Sequence, residues 1–237
     1  MEIAILMAAG MGSRMGALTE KKPKPLVEVA GAPMIETLIK GLLRRKVYKI
    51  YIVVGYLKEQ FYYLAERYPE IEVILNPDYR TINNISSIYY AREKMGLSDC
   101  FICEADLFVR DPAVFDARLD GSCYFGKMVQ GNSEDWVFDI GKDGYITRVG
   151  KKGTDCFNMV GITYLLKKDA QIVADAVEKA YGQPGYESLF WDEVVNDNLE
   201  LLRLRVHPIS VDQVIEIDTI EELKTVNETF AGVSVRT

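Results

Sequence analysis

Histidine is nearly absent from this 237-residue sequence, with His207 as its only representative. That residue precedes Pro208 in a strand-like stretch with no nucleophile beside it, so neither a catalytic triad nor a histidine-based metal site can be built from it alone. Cysteine is scarce too: four residues do not make a disulfide framework in a chain of this size. Cys100 and Cys103 share a C-x-x-C spacing, but in the strand-like run 100–106 residues three apart point to opposite faces and cannot readily grip one metal. Positive charge is in deficit. A net charge of −7 and a pI near 5.0 argue against a general nucleic-acid binder, which collects cations to displace phosphate counterions; a small anion held by local cations stays open. Apolar runs fall well short of the roughly 18 residues that a membrane span needs, so no membrane insertion is expected. Residues 3–9 are apolar but have no basic segment before them and lead into glycines, unlike a signal peptide, and a cytoplasmic protein is the expectation.

What is present starts with that same run. Ile3-Ala4-Ile5-Leu6-Met7-Ala8-Ala9 empties into Gly10-Met11-Gly12-Ser13-Arg14-Met15-Gly16, the pattern of a buried strand ending in a phosphate loop. Two common phosphate binders are excluded. A dinucleotide fingerprint needs a glycine where Met15 stands, and a P-loop needs a terminal Gly-Lys-Ser/Thr. Glycines let backbone N–H groups approach phosphate oxygens, Arg14 adds a forked cation and Ser13 a hydroxyl. A second cationic stretch, Lys21-Lys22-Pro23-Lys24-Pro25-Leu26, is held out of any helix by its prolines.

Along the chain, strand-like runs at 48–54, 71–75 and 100–105 alternate with helical patterns at 34–45, 57–67 and 86–94, the last with Asn83-Asn84 as its cap. This rhythm predicts a largely parallel sheet with helices on both faces. From 122 to 164 it changes to short strands at 123–129, 135–140, 145–149 and 157–165, with Gly141-Lys142-Asp143-Gly144 as a hairpin loop, so an antiparallel or mixed section follows. Helices are expected at 167–181 and 187–196 and from Thr219, where Thr219 and Glu222 make a capping box, with strands near 201–206 and 214–217. No repeat or linker interrupts the chain, and one mixed α/β domain over 1–237 is expected.

Acids close two of these strands. Glu104 and Asp106, and again Glu216 and Asp218, are two residues apart and share a face at a strand end, where ligands of parallel α/β sheets bind. Carboxylates converging there would suit Mg²⁺, which takes a few carboxylates plus phosphate oxygens. The two tryptophans, Trp136 and Trp191, each sit among acids. Trp136, Phe190, Trp191 and Asp192 contain the aromatic faces and carboxylate that a quaternary ammonium needs, but spacing alone leaves cage and core roles equally open.

Leu6–Met15 followed by Lys22-Pro23-Lys24-Pro25-Leu26-Val27 resembles the signature of the sugar-phosphate nucleotidyltransferases and their relatives. The resemblance implies a Rossmann-like fold of the GT-A type, in which 1–120 mainly binds nucleotide and 121–237 mainly binds acceptor. It implies that Ala9, Gly10, Gly12 and Ser13 wrap the triphosphate, that Arg14 and Lys24 contact the phosphoryl groups, and that Asp106 and Asp218 hold the metal. Arg14, Lys24 and Asp106 are then the catalytic set. No general base is needed, because a phosphate monoester brings its own anionic oxygen to the α-phosphorus and pyrophosphate leaves.

Val53–Phe61, Tyr79–Ser87, Glu104-Ala105-Asp106, Leu189–Asp192 and Glu216-Ile217-Asp218 narrow the likeness to the bacterial CTP:phosphocholine cytidylyltransferases of the LicC type. That resemblance implies cytidine recognition around Ala8, Asn84 and Ser87, and a choline site near Trp136, Trp191, Asp192 and Glu216. The expected reaction transfers CMP from CTP to phosphocholine. An acceptor with a primary amine, 2-aminoethylphosphonate or phosphoethanolamine, is the alternative, since Asp192, Glu193 and Glu216 also offer the hydrogen-bond acceptors that an amine wants. A catalytically silent nucleotide-binding module is the more distant one; it would have lost a loop cation or an acid, and here all are present.

Overall fold

The computed structural model describes residues 1–230. Strand β1 (Glu2–Ala8) is apolar from Ile3 onward because it lies in the interior of a seven-stranded sheet. Its odd residues Ile3 and Ile5 enter one buried cluster and Ala4 and Leu6 another, one on each face, as a strand covered on both sides requires. Next come two short strands, β2 (Glu28–Val29) and β3 (Ala32–Pro33), helix α1 (Met34–Arg44), β4 (Lys49–Val54), α2 (Tyr62–Arg67), β5 (Ile71–Leu75), α3 (Ile85–Met95), β6 (Asp99–Glu104) and β7 (Leu107–Val109). The second half holds β8 (Cys123–Ile140), β9 (Ile146–Leu165), α4 (Lys167–Ala180), α5 (Trp191–Asn196), β10 (Arg205–Pro208), β11 (Val214–Glu216) and α6 (Ile220–Thr229).

The sheet order is β10-β8-β9-β6-β1-β4-β5. Strands β6, β1, β4 and β5 are mutually parallel and β10 runs parallel to β8, whereas β9 is antiparallel to both of its neighbours. The mixed, mainly parallel sheet flanked by helices is therefore as expected from the alternating pattern. Cys100 and Cys103 fall in different clusters, on opposite faces of β6, and cannot share a metal.

Several local expectations change. The four short strands between 123 and 165 are two long ones, β8 and β9, joined by a tight turn in which Gly144 donates to the Gly141 carbonyl; bulges in their ladder break the hydrophobic alternation and make each strand look like two. The cationic stretch does make one 3-10 turn, Lys24–Leu26, with Pro25 at an early position where its missing N–H leaves no bond unmade. The expected helix 187–196 is interrupted. A 3-10 turn at Tyr186–Ser188 ends in extended Leu189 and Phe190, and α5 starts only at Trp191.

Among the described residues no helix is long and apolar enough to cross a membrane.

Candidate active site

The carboxyl ends of β1, β5 and β6 open into a cleft of about 710 Å³, the position where an open α/β sheet leaves room for a ligand. A third buried cluster supports its rim: Met15 and Met34 are fully buried against Phe108 and Ile217. Met15, the residue that breaks the dinucleotide fingerprint, is thus the apolar anchor of the glycine loop. Gly12 has a φ of +63°, and a Cβ there would lie 2.7 Å from Lys24 Cβ. Its glycine is required by the close approach of the Lys24 segment.

That approach delivers Lys24 to the two acids. Strand β11 pairs antiparallel with β7, Glu216 opposite Leu107, so the end of β11 lies beside the end of β6. Lys24 Nζ donates to Asp106 Oδ2 at 2.6 Å and to Asp218 Oδ1 at 2.5 Å, and Arg14 Nη1 donates to Asp218 Oδ2 at 2.5 Å. Burial of the Lys24 ammonium works to lower its pKa, but Asp106 and Asp218 together outweigh it, and the pKa rises. The capping box of α6 holds Asp218 in place, because Glu222 Oε2 accepts from the backbone N–H groups of Asp218 and Thr219. Two hard carboxylates meeting at one point, with an open cleft in front, fit a cation that completes its shell with substrate oxygens. No group of three or more His, Cys, Asp or Glu side chains is placed to hold a metal among the described residues.

Two more acids, Glu104 and Glu216, line the cleft beside this cluster. Burial first, then Asp106, Glu216 and Asp192, push the Glu104 carboxyl well above the usual range. Glu216 keeps solvent access in the cleft yet is walled in by protein; desolvation, then Asp106 and Asp218, push it up to about 7.

The far wall comes from the Asn-rich segment and the end of β5. Asn76 Nδ2 donates to Ser86 and Ser87 Oγ at 2.9 and 3.2 Å. Asn84 stands at the start of α3 without capping it: its Oδ1 accepts from Trp191 N at 2.9 Å, across to α5. Asn83 reaches the same segment through its backbone N–H to the Glu187 carbonyl and Nδ2 to the Ser188 carbonyl.

Of the residues singled out in the sequence, Ala9, Gly10, Arg14, Asn84, Ser87, Asp106, Trp136, Phe190, Glu216 and Asp218 line the cleft. Ala8 is buried in the core, and Gly12, Ser13 and Lys24 shape the rim and floor without lining it. Trp191 and Asp192 are placed elsewhere than expected. Both are 3% exposed, Trp191 stacks on Tyr124 with ring centroids 6.0 Å apart, and Tyr124 Oη donates to Asp192 Oδ1 at 3.0 Å. The extended Leu189-Phe190 step turns Phe190 to the cleft and the first turn of α5 into the core. Burial pushes the Asp192 carboxyl up to about 7, against the opposing effect of the Tyr124 hydrogen bond.

Sequence reasoning passed over Asn76 and Lys151, both on the cleft wall. Asn76 follows a parallel strand, a position that signals a ligand edge; Lys151 had no local signal, since it depends on the pairing of β8 with β9.

A model of the MobA-like NTP transferase domain matches residues 4–122. The chain is 48% identical over 220 residues to the 2-aminoethylphosphonate cytidylyltransferase of Lancefieldella rimae, covering 93% of this chain and 89% of that one. It is 30% identical over 225 residues to the choline-phosphate cytidylyltransferase of Streptococcus pneumoniae, covering 95% and 96%. The solved structure of the CTP:phosphocholine cytidylyltransferase from Streptococcus pneumoniae superposes with a TM-score of 0.88, covering 97% of this chain and 99% of that one at 30% identity. With the glycine loop, its partner lysine and both acids assembled at one cleft, the chain belongs to the MobA-like NTP transferase family and is a nucleotidyltransferase of its cytidylyltransferase group.

Proposed function

We propose that this enzyme transfers CMP from CTP to 2-aminoethylphosphonate and releases pyrophosphate. The observation that carries the acceptor is the 48% identity to the Lancefieldella rimae 2-aminoethylphosphonate enzyme, against 30% to the choline-phosphate enzyme of Streptococcus pneumoniae. The cleft agrees. The choline cage expected from the sequence loses Trp191 and Asp192 to the core, while carboxylates remain along the wall, and a primary ammonium with three N–H donors binds carboxylates without needing an aromatic box.

The chemistry follows from the charges present. A phosphonate oxygen, already anionic, forms the new bond to the α-phosphorus as the bond to the bridging oxygen of pyrophosphate breaks, and the electron pair leaves with pyrophosphate. The barrier is repulsion between anions and their alignment, which Arg14 on the cleft wall and Lys24 beneath Asp106 and Asp218 relieve by their positive charge. The Asn-rich wall with Ser87 is the proposed cytidine side. Mg²⁺ is the proposed metal, held by Asp106 and Asp218; when bound it supplies positive charge to phosphoryl oxygens.

Phosphocholine is the second reading, favoured by the Trp136–Phe190 aromatic pair on the cleft wall. A pyrophosphate-release assay of the four nucleoside triphosphates against 2-aminoethylphosphonate, phosphoethanolamine, phosphocholine and a sugar phosphate separates the readings. The highest kcat/KM is expected for CTP with 2-aminoethylphosphonate. A higher value for phosphocholine overturns the acceptor, and no release from CTP with any of them overturns the reaction.

A further inference from the structure

We propose that Lys151 is a specificity-determining residue: its ammonium occupies the Trp136–Phe190 aromatic pair and so excludes a quaternary ammonium from it. The proposal rests on the 2-aminoethylphosphonate reading above. In the β8–β9 ladder Lys151 lies directly opposite Trp136, and side chains directly opposite share a sheet face and touch. Phe190 arrives from the extended residue before α5, its ring 5.3 Å from that of Trp136 and edge-on at 62°. Lys151 Nζ is 5.7 Å from the Trp136 centroid and 5.3 Å from the Phe190 centroid, inside the range in which a cation is drawn to a ring.

The neighbouring acids are engaged elsewhere. Glu134 pairs with Lys152 at 2.9 Å, and Asp135 Oδ2 accepts from Asn158 Nδ2 at 3.0 Å. Lys151 is exposed but lines the cleft, and among the described residues no ion pair draws it off the rings.

The consequence differs between the two acceptors. A trimethylammonium group has no N–H to donate and is recognised chiefly through aromatic faces. It meets a like charge already seated on the only aromatic pair that the sequence-derived cage retains in the cleft. A primary ammonium donates three hydrogen bonds and is satisfied by carboxylates such as Glu216, which lines the same cleft. Lys151 thus penalises one class of acceptor and spares the other.

The test is kcat/KM for phosphocholine and for 2-aminoethylphosphonate in the wild type, Lys151→Met and Lys151→Arg, each with saturating CTP and with a thermal melt to check folding. Lys151→Met keeps the apolar stem and removes the charge. It is expected to raise the phosphocholine-to-aminoethylphosphonate ratio about tenfold, equivalent to about 1.4 kcal/mol, through a lower KM for phosphocholine, while Lys151→Arg keeps the wild-type ratio. A wild-type preference for aminoethylphosphonate with the same ratio in Lys151→Met overturns the role of Lys151 alone. A wild-type preference for phosphocholine overturns the acceptor reading and this proposal with it.

Discussion

Lys24 and Asp218, 194 residues apart in sequence, meet at 2.5 Å between Nζ and Oδ1, and the same ammonium holds Asp106 at 2.6 Å. One cation therefore sets the spacing of two carboxylates that would otherwise repel each other at the mouth of the cleft.

Replacing that cation tests the arrangement. In Lys24→Met the aspartates lose their shared partner; both are partly exposed, so the cost is about 1–2 kcal/mol rather than that of a fully buried pair. CTP turnover is expected to fall about 10²- to 10³-fold, the range for losing one group that stabilises developing charge. Added Mg²⁺ should raise the melting temperature of the variant more than that of the wild type, since a metal relieves the same repulsion. Equal shifts in the two proteins would count against Asp106 and Asp218 as a metal site.

Gly12→Ala forces a side chain into left-handed backbone and into contact with Lys24 Cβ. A destabilisation of about 2 kcal/mol is expected, together with a raised KM for CTP as Lys24 is pushed from its place. Urea denaturation and CTP titration read the two effects separately; a variant as stable as the wild type would show that the loop relaxes freely around Lys24.

The bond from Trp191 N to Asn84 Oδ1 ties the Asn-rich wall to the first turn of α5. Asn84→Ala removes a side-chain acceptor from a helix start and should cost about 1 kcal/mol of stability. Because this bond joins the two walls of the cleft, KM is expected to rise for both CTP and the acceptor. A rise for CTP alone would place Asn84 in the nucleotide site without the bridging role.

Asp192 gives a pH prediction with a definite sign. Its folded-state pKa of about 7 lies above the unfolded value of about 3.9, so the folded chain binds the proton more tightly. The stability from that proton is present in full below about pH 4 and is lost as the pH rises through about 7. Asp192→Asn stays neutral and can still accept from Tyr124, so its stability should decline less between pH 4 and 7. Melting temperatures of both proteins across that range supply the comparison, and parallel curves would refute the assignment.

The alternation of strands and helices in 1–110, the glycine loop, Lys24 and the paired acids were all legible in the sequence, because each rests on short-range pattern: period of burial, a strand followed by glycines, acids at a strand end. The fate of the aromatic residues was not. Trp191 and Asp192 are adjacent to Phe190, yet one extended step sends Phe190 to the cleft and the other two under Tyr124, a choice made by packing against β8. Lys151 faces Trp136 only because bulges shift the β8–β9 register, and a strand carries each side chain to one face or the other according to that register. Reaction chemistry is thus written in local motifs, whereas the acceptor wall is assembled from residues whose neighbours are set by cross-strand pairing and core packing, terms that no single stretch of the chain contains.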